Sequence, residues 1–167
     1  MPSFQKAIDL GYNGIELDVQ ITKDKQIIVY HDILEKKSNK KIKNCIYKDF
    51  FLTNPLLSDV LDQLGHKTII NIEIKNQGKE SILIVKQIIK KIKLFNLIDS
   101  TIISSFNPYI IKQSKKLDDR IQTAWIWGNK NFYFYNTWDI VLNYFKPDSI
   151  HIKESFVNAK IVNKIHS

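Results

Sequence analysis

The sequence predicts an α/β protein in which helices cover a parallel sheet. Short runs rich in β-branched residues alternate along the chain with amphipathic runs at helical spacing, and this alternation is typical of βαβ units with parallel strands. The chain of 167 residues is long enough for one domain with a buried core. It is short for an eight-stranded α/β barrel, which typically needs about 250 residues.

The first part of the chain is expected to supply three strands and three helices. Residues 14–21 and 68–75 alternate between apolar and polar side chains, and a turn at 23–25 leads to a second strand over 26–30. Apolar residues at helical spacing predict helices over 3–10, from Leu57 to Leu64 and from Ile82 to Ile92. Ser58 is the expected N-cap of the second helix and Gly65 its end. The stretch 35–54 is polar and rich in lysine, so we expect it outside the core.

The rest of the chain continues the same rhythm. Strands are expected over 101–105, 121–127 and 149–153, and helices over 137–145 and 155–166. Another helix should begin at Asn107 and Pro108, because asparagine is favoured at the cap and proline in the first turn. The aromatic run 132–135 is expected to cover the sheet. Five strands should therefore run parallel, with the short strand before His31 as an addition.

Composition argues against several classes of function. No stretch approaches the roughly 20 apolar residues of a membrane span, and residues 1–6 lack the apolar run of a signal peptide, so a cytoplasmic location is expected. The single cysteine, Cys45, has no partner for an internal disulfide. The net charge is +8, and of the 25 lysine and arginine residues a single one, Arg120, is an arginine. Nucleic-acid readers usually rely on arginine, so we expect no nucleic-acid partner but an anionic small-molecule substrate.

Three carboxylates carry the strongest chemical signal. Glu16 and Asp18 lie two residues apart on one strand and point to the same side, where two like charges are expensive to bury without a cation. The alternative is a solvated strand face. Glu73 lies in the apolar strand 68–75, where it is either a third oxygen ligand or the partner of Lys75 in a structural ion pair. Three carboxylates suit a hard cation such as Mg²⁺ or Ca²⁺.

Three further residues are weaker candidates. His31 follows an apolar strand and is either a surface residue or, beside a metal site, a general acid or base. Trp127, near the end of its strand, either lines a pocket or packs in the core. Lys153, which shares a face with His151, either meets an anionic ligand or is simply solvated.

These residues lie within a longer resemblance to the glycerophosphodiester phosphodiesterase family. The run from Phe4 to Asp24, with its Glu-Leu-Asp, and the continuation Ile27 to Asp32, which ends in His-Asp, are similar to the signature of that family. Further similarities follow in the same order, and they are Leu57-Ser58-Asp59-Val60-Leu61, Asn71-Ile72-Glu73-Ile74-Lys75 and Ile103-Ser104-Ser105-Phe106.

The resemblance implies a (β/α)8 TIM-barrel fold with the site at the C-terminal ends of the strands. It implies that Glu16, Asp18 and Glu73 bind a divalent cation, that His31 is one of two acid–base histidines, and that Lys75 lies near the phosphate. The implied reaction is the metal-dependent hydrolysis of glycerophosphodiesters to an alcohol and glycerol 3-phosphate.

The resemblance also implies an incomplete barrel, a single partial domain over residues 1–167. The strands present match the second to the sixth of the family, and the first, seventh and eighth, with the His-Arg-Gly of the first strand, are absent. Exposed sheet edges would then favour self-association. We expect this chain alone to be a poor catalyst, because one imidazole, that of His31, cannot easily serve both attack and departure at phosphorus. The alternative function is a non-catalytic binding module that keeps the metal site.

Overall fold

A computed structural model describes residues 1–50, 54–128 and 138–166. Its centre is a sheet of six strands in the order β2-β1-β3-β4-β5-β6. The strands are β1 (Gly14–Ile21), β2 (Ile27–Val29), β3 (Ile69–Ile74), β4 (Thr101–Ser105), β5 (Gln122–Trp127) and β6 (Ser149–Ile152). Five of them pair in parallel, and β2 is antiparallel to β1. The predicted five parallel strands and the additional short strand are thus confirmed, whereas the aromatic run 132–135 lies outside the described residues.

The helices fall between the strands as the alternation predicts. They are α1 (Pro2–Asp9), α2 (Leu57–Leu64), α3 (Glu80–Leu94), α4 (Pro108–Leu117), α5 (Trp138–Ile140) and α6 (Ala159–His166). The helical segment that starts with α5 continues as a π-helix over Val141–Phe145, and Asn107 caps α4 by accepting a hydrogen bond from the backbone N–H of Tyr109. In the part of the chain that is described, no helix has the length and apolarity that crossing a membrane requires.

The helices that contribute to the main core all pack on the same face of the sheet. The opposite face is therefore left for the site. The apolar residues of β1, which are Ile15, Leu17, Val19 and Ile21, are buried together with Ile70, Ile72 and Ile74 of β3 and the apolar sides of α2 and α3. Side chains of a strand alternate between its two faces. The polar residues between them, including Glu16, Asp18 and Glu73, therefore line the opposite, inner face.

The lysine-rich stretch 35–54 contributes more to the core than we expected. Ile42, Cys45 and Phe50 are buried, and they form a separate cluster with Ile28 of β2. The prediction that this stretch lies outside the core was wrong for these side chains. Its lysines are mostly exposed, so the average polarity of the stretch conceals an apolar side that packs under the β1–β2 hairpin.

Helix α2 begins and ends for reasons that differ from the sequence prediction. Ser58 is not its N-cap; the helix starts at Leu57, and the Asp59 carboxylate accepts a hydrogen bond from the backbone N–H of Leu56 at 3.3 Å. The helix ends before Gly65 as predicted, but Gly65 has right-handed backbone angles. A β-carbon at Gly65 would lie 2.6 Å from the Leu61 carbonyl oxygen and 2.9 Å from Leu97 Cδ2. The position therefore requires glycine for space.

The substitution Gly65→Ala should destabilise the protein by about 1–3 kcal/mol, the usual effect of forcing an extra carbon into a packed site. Urea denaturation measures the free energy of unfolding. Gly14→Ala is the matched control, since its β-carbon would lie 3.5 Å from the nearest atom, the Ile69 carbonyl oxygen, and we expect it to change stability little. Equal losses in the two variants would contradict the steric argument.

A partly buried network ties the start of β6 to the neighbouring strand and helix. Asp148 accepts hydrogen bonds from the backbone N–H of Thr123 at 2.7 Å and from its hydroxyl at 2.8 Å. Lys115 of α4 forms a salt bridge with the same carboxylate at 2.7 Å. Burial alone would raise the pKa of Asp148, but the hydrogen bonds from Lys115 and Thr123 outweigh it, and the pKa lies below its ordinary value.

A depressed carboxylate pKa predicts pH-dependent stability. The charged Asp148 contributes to the free energy of unfolding above the pKa that an aspartate has in the unfolded chain, about 3.9. This contribution is lost as the pH falls through the lower pKa of Asp148 in the folded protein. Asp148→Asn should therefore cost about 1–2 kcal/mol at pH 7, and the gap to the wild type should close as the solution is acidified below that range. Denaturation at several pH values tests this, with the exposed Asp62→Asn as control. A gap that does not change with pH would show that the charge of Asp148 is irrelevant.

Candidate active site

Three carboxylates meet at the inner face of the sheet. Glu16, Asp18 and Glu73 each place one carboxylate oxygen within 4.8 Å of the other two. The register explains this, because Asp18 of β1 pairs with Glu73 of β3 in the parallel ladder, and Glu16 lies two residues earlier on the same face. Oxygens at this spacing fit around one cation, whose oxygen ligands lie at about 2.0–2.6 Å from it.

Lys75 lies between two of these carboxylates. Its ammonium group is 2.6 Å from Asp18 Oδ1 and 2.6 Å from Glu73 Oε1, and all three side chains are largely buried. Burial by itself lowers the pKa of Lys75, but the hydrogen bonds to Asp18 and Glu73 outweigh it and raise that pKa above its ordinary value. The ion pair that the sequence left as an alternative is therefore present, together with the three-carboxylate cluster.

Glu16 shows that the cluster still has an excess of negative charge. Its side chain remains exposed, yet partial burial of the carboxylate, followed by the charges of Asp18 and Glu73, raises the pKa of Glu16 to about 7. Lys75 and His31 act in the opposite direction without cancelling this rise. A hard divalent cation is the partner that such a donor set favours, so the residues present fit the predicted metal site.

His31 lies just after β2 and faces this cluster closely enough for its charge to lower the pKa of Glu16. Its Nδ1 lies 2.9 Å from Asp32 Oδ1, and its side chain is 76% exposed. The hydrogen bond between His31 and Asp32 is the largest of the causes that lower the pKa of the Asp32 carboxyl group. A carboxylate at Nδ1 orients the ring and leaves Nε2 as the nitrogen for proton exchange.

Trp127 and Lys153 lie at the ends of neighbouring strands, and their surroundings differ. Trp127 is 3% exposed and belongs to a buried cluster with Ile111 of α4 and Phe145 of the π-helix. It also makes an edge-to-face contact with Phe156, with 5.6 Å between the ring centroids. Lys153 is exposed. Both nevertheless line one pocket of about 400 Å³, together with Phe106, Ile126 and His151. The pocket opens at the C-terminal ends of β5 and β6, the same end of the sheet at which Lys75 follows β3.

One residue of the site was missed by sequence reasoning. Gln20 is completely buried, and its side-chain Nε2 donates hydrogen bonds to the carbonyl oxygens of Tyr30 at 3.0 Å and Asp32 at 2.7 Å. The signal in the sequence was its place on the same strand face as Glu16 and Asp18. What it contacts depends on how the chain returns after β2, which spacing along β1 does not reveal.

The fold and the site together define an incomplete α/β barrel of mainly parallel strands, with an acidic centre at the C-terminal ends of its strands. The chain belongs to the Glycerophosphoryl diester phosphodiesterase family, which it matches over residues 1–167. The predicted family and the incomplete TIM-barrel fold are thereby confirmed.

Curated relatives are similar to this chain in sequence, and they are longer. The chain is 35% identical over 136 residues to a protein named "Glycerophosphodiester phosphodiesterase" from Caldanaerobacter subterraneus subsp. tengcongensis, with 69% of this chain and 55% of the relative covered. It is 32% identical over 143 residues to a protein of the same name from Bacillus altitudinis, with 74% and 58% covered. The chain thus spans little more than half the length of these relatives.

Solved structures resemble the fold throughout the chain. A glycerophosphoryl diester phosphodiesterase structure from Silicibacter pomeroyi superposes with a TM-score of 0.85 at 12% identity, and the match covers 99% of this chain and 73% of the other. A phosphodiesterase from Oleispira antarctica, solved in complex with the product sn-glycerol-3-phosphate, gives 0.82 at 19% identity, with 99% and 73% covered. At such identities the likeness shows the fold alone.

The charge balance of the cluster predicts the effect of removing Lys75. Lys75→Met leaves Asp18 and Glu73 facing each other without a cation, and we expect a loss of about 1–3 kcal/mol in the free energy of unfolding at pH 7 in the presence of a chelator. Because the folded pKa of Lys75 is raised above an unfolded value of about 10.4, this contribution is fully present at neutral pH and is lost only as the pH rises through the folded pKa.

Urea denaturation measures this loss, and Lys36→Met is its control. Lys36 also pairs with an aspartate, Asp32, but at 3.6 Å and with 78% of its side chain exposed, and exposed pairs contribute about 0–1 kcal/mol. Similar stabilities for Lys75→Met and the wild type would show that the ammonium group does not hold the carboxylates together.

Proposed function

We propose that this chain provides the cation-binding and acid–base half of a site that hydrolyses glycerophosphodiesters to an alcohol and glycerol 3-phosphate. The observation that carries the proposal is the convergence of Glu16, Asp18 and Glu73 at one end of a barrel of this family. The names of the curated relatives and the product bound to the Oleispira antarctica phosphodiesterase support the same substrate class.

The proposed cation is Mg²⁺ or Ca²⁺, held by Glu16, Asp18 and Glu73. Carboxylates are the ligands that these hard cations prefer, and no Cys–His cluster for a softer metal occurs in the described ranges. When bound, the cation would supply polarisation of the phosphoryl oxygens. It would also relieve the repulsion from Asp18 and Glu73 that, after burial, raises the pKa of Glu16.

His31 is the proposed acid–base residue. Hydrolysis breaks one P–O bond, adds water across it and requires a proton on the departing alkoxide oxygen. Asp32 holds Nδ1 of the His31 ring at 2.9 Å, so Nε2 is the nitrogen that we assign to proton transfer.

Lys75 is proposed to hold the phosphate from the other side. In the present arrangement its ammonium group is bound to Asp18 and Glu73. A divalent cation held there would supply the positive charge that Asp18 and Glu73 now receive from Lys75, and the ammonium group would then be available to donate to a phosphate oxygen.

The pocket lined by Trp127 and Lys153 is proposed to receive the substrate beyond the phosphate. Its wall is largely aromatic and apolar, with Lys153 at the rim. An aromatic wall suits the carbon skeleton of the alcohol, and a rim cation suits a second anionic group. The proposed partner is thus a small-molecule glycerophosphodiester, acted on as part of glycerol and lipid metabolism in the cytoplasm.

Binding without turnover is the second candidate function. Of the histidines in residues 1–50, 54–128 and 138–166, His31 is the one whose charge acts on Glu16. A single imidazole at the centre favours a module that binds the cation and the phosphodiester but turns it over slowly.

The test combines cation binding with product analysis for the 167-residue chain. Calorimetry with Mg²⁺ and with Ca²⁺ should show binding that Asp18→Asn or Glu73→Gln weakens by at least about tenfold, because each removes a charged ligand. Hydrolysis of glycerophosphocholine is followed by ³¹P NMR, which identifies glycerol 3-phosphate. His31→Ala should keep cation binding and lower kcat by about 10²–10⁴-fold.

Glu80→Gln is the matched control, because Glu80 pairs with Lys43 at 3.3 Å and is absent from the carboxylate cluster. It should change neither cation binding nor turnover. Cation binding without hydrolysis by the wild type would favour the binding module. A folded chain that binds neither cation would refute both candidates.

A further inference from the structure

We infer that Gln20 is a positioning residue for His31, because its amide group holds the chain on both sides of the histidine. The inference rests on the proposed function only for the role of His31. The contacts of Gln20 are properties of the fold, and they are open to test whether or not the chain turns over a substrate.

The geometry of the contact is specific to the histidine segment. Gln20 Nε2 has two N–H groups, and it donates to Tyr30 O at 3.0 Å and to Asp32 O at 2.7 Å. His31 is the residue between these two carbonyl groups. The segment is fixed on one side by a backbone bond as well, from Tyr30 N–H to Asp18 O at 2.9 Å.

The segment needs this support because it has left the sheet. Strand β2 ends at Val29, so Asp32 lies beyond the regular ladder with β1. A completely buried amide is shielded from water, which strengthens its hydrogen bonds and makes their loss expensive. Gln20 therefore continues, through its side chain, the pairing that the backbone no longer provides.

The position of Gln20 on β1 links the histidine to the carboxylates. Asp18 and Gln20 are two residues apart on one face, and a strand rises about 3.3 Å per residue, so their Cα atoms lie about 7 Å apart. Asp18 contributes to the carboxylate cluster and Gln20 holds His31. One rigid strand thus sets the distance between the proposed acid–base group and the proposed cation.

Gln20→Met tests the inference, because methionine has nearly the same length but donates no hydrogen bond. The matched control is Gln77→Met. Gln77 is also a buried glutamine that bonds the backbone of β1: Oε1 accepts from Ile21 N–H at 2.7 Å, and Nε2 donates to Ile21 O at 3.4 Å. Neither bond involves the segment from Tyr30 to Asp32.

Hydrogen–deuterium exchange over residues 30–33 is the first readout, with the wild-type chain as reference. In Gln20→Met the exchange of this segment should accelerate by about tenfold, as expected for the loss of two hydrogen bonds, and the NMR signal of the His31 ring should shift. Gln77→Met should leave both unchanged. Calorimetric cation binding should be the same in all three proteins, because their carboxylates are intact.

Turnover is the second readout. Where the wild type hydrolyses glycerophosphocholine, Gln20→Met should lower kcat by about 10²-fold, the effect of a misplaced reacting group, with little change in KM. Equal exchange over residues 30–33 in Gln20→Met and the wild type would overturn the inference, as would equal acceleration in both variants. A wild type without turnover would count against the proposed function, while the exchange readout would still decide the role of Gln20.

Discussion

The strict alternation of β1 and its register against β3 determine most of this structure. The apolar residues of β1 join the helix-covered core, and the polar residues between them face inward. Pairing of Asp18 with Glu73 then brings carboxylates from two strands together. A slip of one residue would place Glu16 and Asp18 against the helices and Leu17 at the site. The buried isoleucines of both strands make such a slip very unfavourable, so core packing also fixes the chemistry.

Electrostatics explains how this face tolerates three acidic groups. Lys75 supplies one positive charge at 2.6 Å from two of them, and the third, Glu16, remains at the exposed rim with a pKa raised to about 7. The folded protein accommodates this cluster, but the cluster keeps a net negative charge. This remaining negative charge distinguishes the inner face from the lysine-rich exterior of the protein, and it is the reason that we propose a cation there.

Much of the fold and part of the site could be predicted from local pattern. Period-two alternation located β1 and β3, and the paired carboxylates on β1 were visible as soon as the strand was recognised. The burial of Ile42 and Phe50 was not, because their neighbours are lysines that face the solvent and dominate any average over the stretch. The π-helix at Val141–Phe145 gave no sequence signal that we recognised. The contacts of Gln20 and the double pairing of Lys75 depend on chain segments that meet only after folding.

The segment that begins at residue 54 lies along the outer edge of β2, and this affects how molecules of the protein can associate at high concentration. Val29 N–H donates to Pro55 O at 3.0 Å, and Ile28 forms an antiparallel bridge with Leu56. An edge strand with unoccupied donors and acceptors is a template for other chains, but here a non-strand segment already occupies those of β2. Within the described ranges, residues 54–56 therefore cover the outer edge of β2, and the hairpin that carries His31 is protected from pairing with the strands of other molecules.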